Sequence, residues 1–358
     1  MINNIINATS IHRGGGLTYL LLIHKYIDKK NKLIFLDSRS RKYIKDFKNI
    51  KIIFLKKGPF RNIKILFYRI KYIFKFNKLN SKGENKKKFT ELSLNGLPPL
   101  FRVGNKFTKV YIFCQNRLVF EKNNSKLFGI FNFKIYLYLL IHKILFNLFK
   151  RPNDIIIVQT QSMRKLLLDL KIKNKILLQE KIWGNINKEN YLKILDLGKK
   201  DFQYNPKLAY IKNLYKSNIL YFYPAYFLPH KNHFKLLKAF EEFEKNDKNP
   251  HKLLLTINKI DYHKLVKKNN QNVILLNDLS YKEMFIIYRY IDYLIFPSLI
   301  ESYGLPLLEA KFSNVDIIAS DLPFVYDICK PFLTFNPNEI EDIFEKVKYS
   351  LELNKRFE

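Results

Sequence analysis

Two glutamates, Glu301 and Glu309, stand eight residues apart in the stretch FPSLIESYGLPLLEA (296–310), with Gly304 and Pro306 between them. A lysine, Lys231, lies in YPAYFLPHKNHFKLLKAF (223–240), and three glycines, Gly14, Gly15 and Gly16, lie close behind the apolar run NNIINA (3–8). Carboxylates accept hydrogen bonds from hydroxyls. The free N–H groups of a helix start attract phosphate. Pro306 marks a first helical turn, the position that tolerates proline. Gly304 permits a tight turn and a close backbone approach. The N–H groups of Gly304 and Leu305 then point out of the helix start. A nucleotide diphosphate fits there, with acids on either side to hold sugar hydroxyls.

The elements that must position these residues follow a strand–helix rhythm. Strands are expected at 3–8, 32–37, 50–55, 110–115 and 154–159, with a helix over 14–30 after the glycine turn. Residues 184–217 are polar and weakly patterned and read as a linker. The rhythm restarts with strands at 217–225, 252–257, 272–276 and 292–296 and a helix over 233–246. Alternation of this kind implies parallel sheets in two α/β domains. Open α/β sheets bind ligands at the C-terminal ends of their strands, which is where Lys231 and Glu301 fall. The Lys-rich KGENKKKF (82–89) reads as an exposed loop.

Composition narrows the class. The chain has 358 residues, 47% of them hydrophobic and 15% aromatic, enough for a large core. Two cysteines, Cys114 and Cys329, make neither a disulfide framework nor a zinc pattern, and fit a reducing cytosol. The start MINNIINATSIHRGGG lacks the cationic and apolar regions of a signal peptide. The net charge of +33 is uneven: residues 1–200 hold 43 Lys and Arg against 11 Asp and Glu, whereas 201–358 are near balance. The first part is therefore expected to face something anionic. The segment 127–150 is strongly apolar, but Lys134, His142 and Lys143 interrupt it, so it reads as a core helix with a solvated basic face. The segment 61–78 alternates basic and apolar residues and suits a headgroup layer.

The stretch 296–310 resembles the E-x7-E signature of the GT4-type retaining glycosyltransferases of the GT-B fold. YPAYFLPHKNHFKLLKAF resembles that family's strand–loop–helix with its Lys-Asn, and GGGLTYL (14–20) its glycine loop. NGLPPLF (95–101), VYIFCQN (110–116) and IIVQTQSM (156–163) are similar to segments of bacterial surface-polysaccharide members. The resemblance implies two Rossmann-like βαβ domains facing each other across a cleft. Residues 1–200 would form an acceptor-side domain and 201–340 a nucleotide-sugar domain. A C-terminal helix in 341–358 would pack back toward the first. It implies that Glu301 is the catalytic residue and contacts the transferred sugar, that Glu309 binds the ribose, and that Lys231 neutralises the leaving diphosphate. It places Gly15 and Gly16 near the same phosphates and the loop of Leu276, Asn277 and Asp278 near the base. His12, Arg13, Gln115, Asn116, Arg117 and His230 are the further candidates for sugar contacts. Two departures stand out: Tyr226 occupies the place of the family arginine, with no arginine anywhere in 217–240, and the N-domain histidine has no counterpart.

The implied reaction moves a sugar from a UDP- or GDP-sugar donor to a glycan or polyprenyl-linked acceptor. The implied setting is lipopolysaccharide, O-antigen or capsule synthesis, on the cytoplasmic, inner face of an anionic plasma membrane. No cofactor is expected, and the absence of any Asp-x-Asp in the chain argues against a metal. The other readings are a non-catalytic protein that binds an anionic membrane or nucleic acid, and a glycoside hydrolase using Glu301 and Glu309 as its acid pair. The chain has no RNA-reader motif, so nucleic acid is not expected as a partner. Hydrolysis leaves Lys231 and the glycine loop without a task.

Overall fold

The computed structural model describes residues 5–11, 14–23, 33–43, 51–58, 60–80, 89–100, 108–121, 133–183, 186–189, 191, 206–246, 250–277 and 279–354. The chain divides into two compact units, Met1–Asn190 and Tyr191–Glu358. Each is built on one parallel sheet.

In the first unit the strands are β1 (Ile5–Ala8), β2 (Leu33–Asp37), β3 (Lys51–Leu55), β4 (Phe89–Ser93), β5 (Thr108–Phe113), β6 (Ile155–Val158) and β7 (Lys175–Leu178). Their order in the sheet is β3-β2-β1-β4-β5-β6-β7. Among the described residues, its helices of eight or more residues are α1 (Gly14–Ile23), α2 (Arg61–Asn80), α3 (Phe133–Phe149) and α4 (Gln161–Asp169). β2 and β6 are buried at every position, as a parallel sheet covered on both faces requires. β4 escaped the sequence reading because Glu91 sits in the middle of FTELS and breaks the apolar run. Glu91 is buried, and its charge is met by Arg69, which α2 delivers to it.

α3 differs from its expected form. Its inner face carries Leu139, His142 and Phe146 into the core. Its outer face exposes Phe133, Leu137, Tyr138, Ile141, Ile144 and Leu148 rather than a basic stripe. The cause is simple: apolar residues run around the whole helix, and only Lys134 and Lys143 are charged at neutral pH. Among the described residues no helix is long and apolar enough to cross a membrane.

The second unit has β8 (Ile219–Tyr223), β9 (His251–Leu255), β10 (Val273–Leu275), β11 (Tyr293–Phe296), β12 (Asp316–Ser320) and β13 (Leu333–Phe335), in the order β10-β9-β8-β11-β12-β13. Its helices include α5 (Pro206–Ser217), α6 (His233–Asn246), α7 (Tyr281–Ile287), α8 (Leu305–Ser313) and α9 (Ile340–Glu352). α5 corrects the linker reading of 184–217: the last twelve residues of that stretch are helical, opened by Pro206. α9 packs on α6 and β13, and Tyr221 and Tyr293 of the sheet reach Ser350 on it at 2.8 Å each. Both sheets reverse their strand order at one point, between β1 and β4 and between β8 and β11. That switch opens a crevice at the C-terminal ends of the central strands.

Candidate active site

In the second unit the loops after β8 and β11 leave the switch point side by side. Tyr223, the last residue of β8, ties them together. Its hydroxyl donates to the Lys231 carbonyl at 2.8 Å and meets the Ser298 hydroxyl at 2.8 Å. The Leu299 N–H donates to the His230 carbonyl at 2.8 Å. Asn232 turns the chain with φ 59° into α6 and anchors its amide on the Pro337 carbonyl at 2.7 Å. Lys231 is thereby held on a braced turn, and its ammonium forms an ion pair with the Glu301 carboxylate. Both side chains are largely shielded, 17% and 12% exposed.

Gly304 caps α8 in the left-handed conformation, φ 75° and ψ 59°. A side chain there would be strained, and its Cβ would come 3.0 Å from Leu307 Cδ1. Leu305 and Pro306 follow as the first helical residues, so the free N–H groups of this turn face the Lys231–Glu301 pair's end of the sheet. Asn277 lies exposed after β10, with φ 55°, on the same C-terminal edge. Asp278 lies outside the described residues.

Glu309 is one turn into α8 and only 4% exposed. Its Oε1 accepts from the Tyr191 hydroxyl and its Oε2 from the Tyr288 hydroxyl at 3.1 Å. Burial pushes its carboxyl above the usual carboxylate range, and the two phenols pull the other way. None of the tyrosines at this site, 191, 223 or 288, was marked by the sequence reading. Tyr191 and Tyr288 stand 118 and 21 residues from Glu309, and no spacing rule links them.

His230 is buried, and its imidazole is pushed down to about 4 by burial first and by Lys231 second. It therefore carries no positive charge at neutral pH. Its neighbour His233 is pushed down to about 3 by the same two causes.

In the first unit the structure brings Gly16 and Gln115 together. A Cβ on Gly16 would meet Gln115 Oε1, the end of a flexible side chain, at a tight 3.3 Å. Gly14, Gly15 and Gly16 form the first turn of α1. Gln115 also donates to the Leu94 carbonyl at 3.3 Å. Asn116 and Arg117 have structural partners. The Asn116 side chain caps the short 3-10 turn Arg117–Val119, and Arg117 bonds Glu121 at 2.6 Å and Ser162 at 3.1 Å. His12 and Arg13 lie outside the described residues.

Two parallel sheets of this order, each with a strand-order switch, are the GT-B architecture. Solved structures match it over nearly the whole chain. One is a UDP-forming α,α-trehalose-phosphate synthase from Burkholderia xenovorans, with TM-score 0.64, 13% identity, and 99% of this chain and 92% of that one covered. Another is HepE from Anabaena in complex with UDP and glucose, with TM-score 0.62, 11% identity, and 98% and 90% covered. Residues 206–358 match the family described as glycosyl transferases group 1. That match lies within the second unit and spans less than half of the chain. A curated relative, the O-antigen chain mannosyltransferase RfbU of Salmonella typhimurium, is 27% identical over 106 residues. That match spans 28% of this chain and 29% of the relative.

Proposed function

We propose that the protein transfers a hexose from a UDP- or GDP-sugar to a glycan or polyprenyl-linked acceptor, with retention of anomeric configuration and without a metal. The observation that carries this reading is the Lys231–Glu301 pair set beside the start of α8 at the sheet's switch point. As the sugar–phosphate bond breaks, negative charge grows on the diphosphate. A lysine and fixed N–H dipoles stabilise that charge without reorganising. Glu301 then meets the transferred sugar, and Glu309 the ribose diol. The acceptor oxygen bonds to the anomeric carbon on the face the diphosphate leaves, and its proton passes to the departing phosphate. No enzymic nucleophile is needed. The complexes of HepE with UDP and with UDP-glucose, and the description of RfbU as an O-antigen mannosyltransferase, support a nucleotide-sugar donor and a role in surface polysaccharide.

Labelled UDP- and GDP-hexoses, offered with lipid-linked glycan acceptors, test the reading. Transfer with retention, unchanged by EDTA, is the expected result. Donor or glycan hydrolysis without transfer favours the hydrolase reading. Loss of transfer on chelation, restored by Mg²⁺ or Mn²⁺, overturns the metal-free mechanism.

The same reading places the first unit against the inner face of an anionic membrane, where a polyprenyl-linked acceptor is carried. Support comes from the charge split and from the outer face of α3, whose exposed Phe133, Leu137, Ile141, Ile144 and Leu148 lie on one side of the helix. Apolar side chains of this kind enter the headgroup–acyl boundary, and each nearby Lys or Arg adds about 1 kcal/mol on an anionic surface. Co-sedimentation with anionic vesicles is expected at low salt, weaker with neutral vesicles or high salt. Replacing Ile141 and Leu148 with serine should reduce it. Equal, poor binding to both vesicle types makes a soluble acceptor the better reading.

A further inference from the structure

We infer that Tyr191 and Tyr288 are positioning residues that hold the Glu309 carboxylate ready to accept both hydroxyls of a ribose. The inference rests on the reading of Glu309 as the ribose contact and deepens it. Glu309 lies 4% exposed among aromatic rings, and among the described residues no lysine or arginine pairs with it. Its two oxygens accept one phenol each, from Tyr191 and from Tyr288. A carboxylate has about four acceptor positions, two per oxygen. The phenols occupy one on each, which leaves one on each for a vicinal diol.

Both phenols are fixed from outside the site. The Tyr191 ring packs on Phe312 of α8 at 5.8 Å and on Phe285 of α7 at 6.2 Å. The Tyr288 ring stands edge-on to Phe222 of β8 at 5.6 Å, and its hydroxyl also lies 3.3 Å from the Pro306 carbonyl. The rings therefore set the direction of both O–H groups, and the O–H groups set the plane of the carboxylate.

The titratable groups that act on Glu309 are these two phenols. Lys311 on the same helix donates instead to the Ile328 carbonyl at 3.1 Å, and Lys207 of α5 to the Leu276 carbonyl at 3.1 Å. Burial raises the Glu309 carboxyl and the phenols lower it, so removing a phenol raises it further. A protonated Glu309 has lost an acceptor. Ribonucleotide affinity in a Tyr→Phe variant should then fall as pH falls and recover as pH rises.

The test is calorimetric binding of UDP and GDP to the full chain between about pH 5.5 and 8.5, for wild type, Tyr191→Phe, Tyr288→Phe and Glu309→Gln. Each phenylalanine keeps the ring packing, and melting temperatures check the fold. A hydrogen bond to a charged group is worth roughly ten-fold in affinity. Expected at the acid end is a roughly ten-fold weaker nucleotide affinity in each Phe variant, shrinking toward the alkaline end. Wild-type affinity in both Phe variants at every pH overturns the inference and leaves the phenols as packing. Wild-type affinity in Glu309→Gln instead overturns the ribose reading beneath it. A loss in Glu309→Gln without one in the Phe variants sinks the positioning role alone. Failure of the wild-type chain to bind either nucleotide sinks both.

Discussion

Lys231→Ala lowers kcat for sugar transfer roughly 100- to 1000-fold, the usual cost of removing one preorganised donor from a developing anion. The melting temperature stays near wild type, because Lys231 lies at a loop and its hydrogen-bonded turn is braced through the backbone and Tyr223. The large effect follows from what surrounds the lysine. The position five residues earlier is Tyr226, half-exposed, and residues 217–240 contain no arginine. His230 and His233 flank the lysine as neutral imidazoles. Among the described residues of these two loops, the positive end that remains is the start of α8, equivalent to about half a charge. Glu301→Gln also loses activity, and the two substitutions are not independent. Each single change strips the other residue of its partner in a shielded ion pair. The double variant should therefore lose less than the product of the two losses, with a coupling of about 0.5–3 kcal/mol. Steady-state kinetics of the four proteins measures this. Wild-type turnover in Lys231→Ala would remove Lys231 from the reaction, and effects that multiply would mean the two residues act independently.

Much of the second unit was legible because its strands are continuous apolar runs closed by loops with proline and glycine. ILYFY and YLIF are buried at every residue. The Glu301, Gly304 and Glu309 constellation was legible because it is local: one strand, one turn and one helix start supply it. What stayed hidden was long-range. β4 could not be read from FTELS, since its stability depends on Arg69 arriving from another element to meet Glu91. Nor could the phenols on Glu309 be read, since α7 and residue 191 bring them from elsewhere in the chain. α3 failed in another way. The sequence showed an apolar helix, but not that one of its two apolar faces is left outside the core.

Acidification from about pH 6 to 4.5 destabilises the second unit by about 3–4 kcal/mol through His230 and His233 alone. Both imidazoles are buried within the β8–α6 connection, His233 to 2% exposure with its ring 4.9 Å from that of Tyr223. Burial, and next to it the charge of Lys231, brings them down from 6.5 to about 4 and about 3. Their folded values lie below their unfolded ones, so the folded protein refuses protons that the unfolded chain binds. The stability they contribute is full above pH 6.5 and is lost as pH falls from there toward the folded values. Each refused proton costs about 1.4 kcal/mol per pH unit. Denaturant unfolding at several pH values, for wild type and His233→Phe, isolates one of the two protons. The phenyl ring keeps the packing on Tyr223, and carboxylates that titrate in the same range do so equally in both proteins. The variant's stability should fall less steeply with acid, by about one proton's worth of slope. Parallel curves would mean that His233 takes up its proton in the folded state. It would then stand as a second cation behind Lys231, and the large loss expected for Lys231→Ala would have to shrink accordingly.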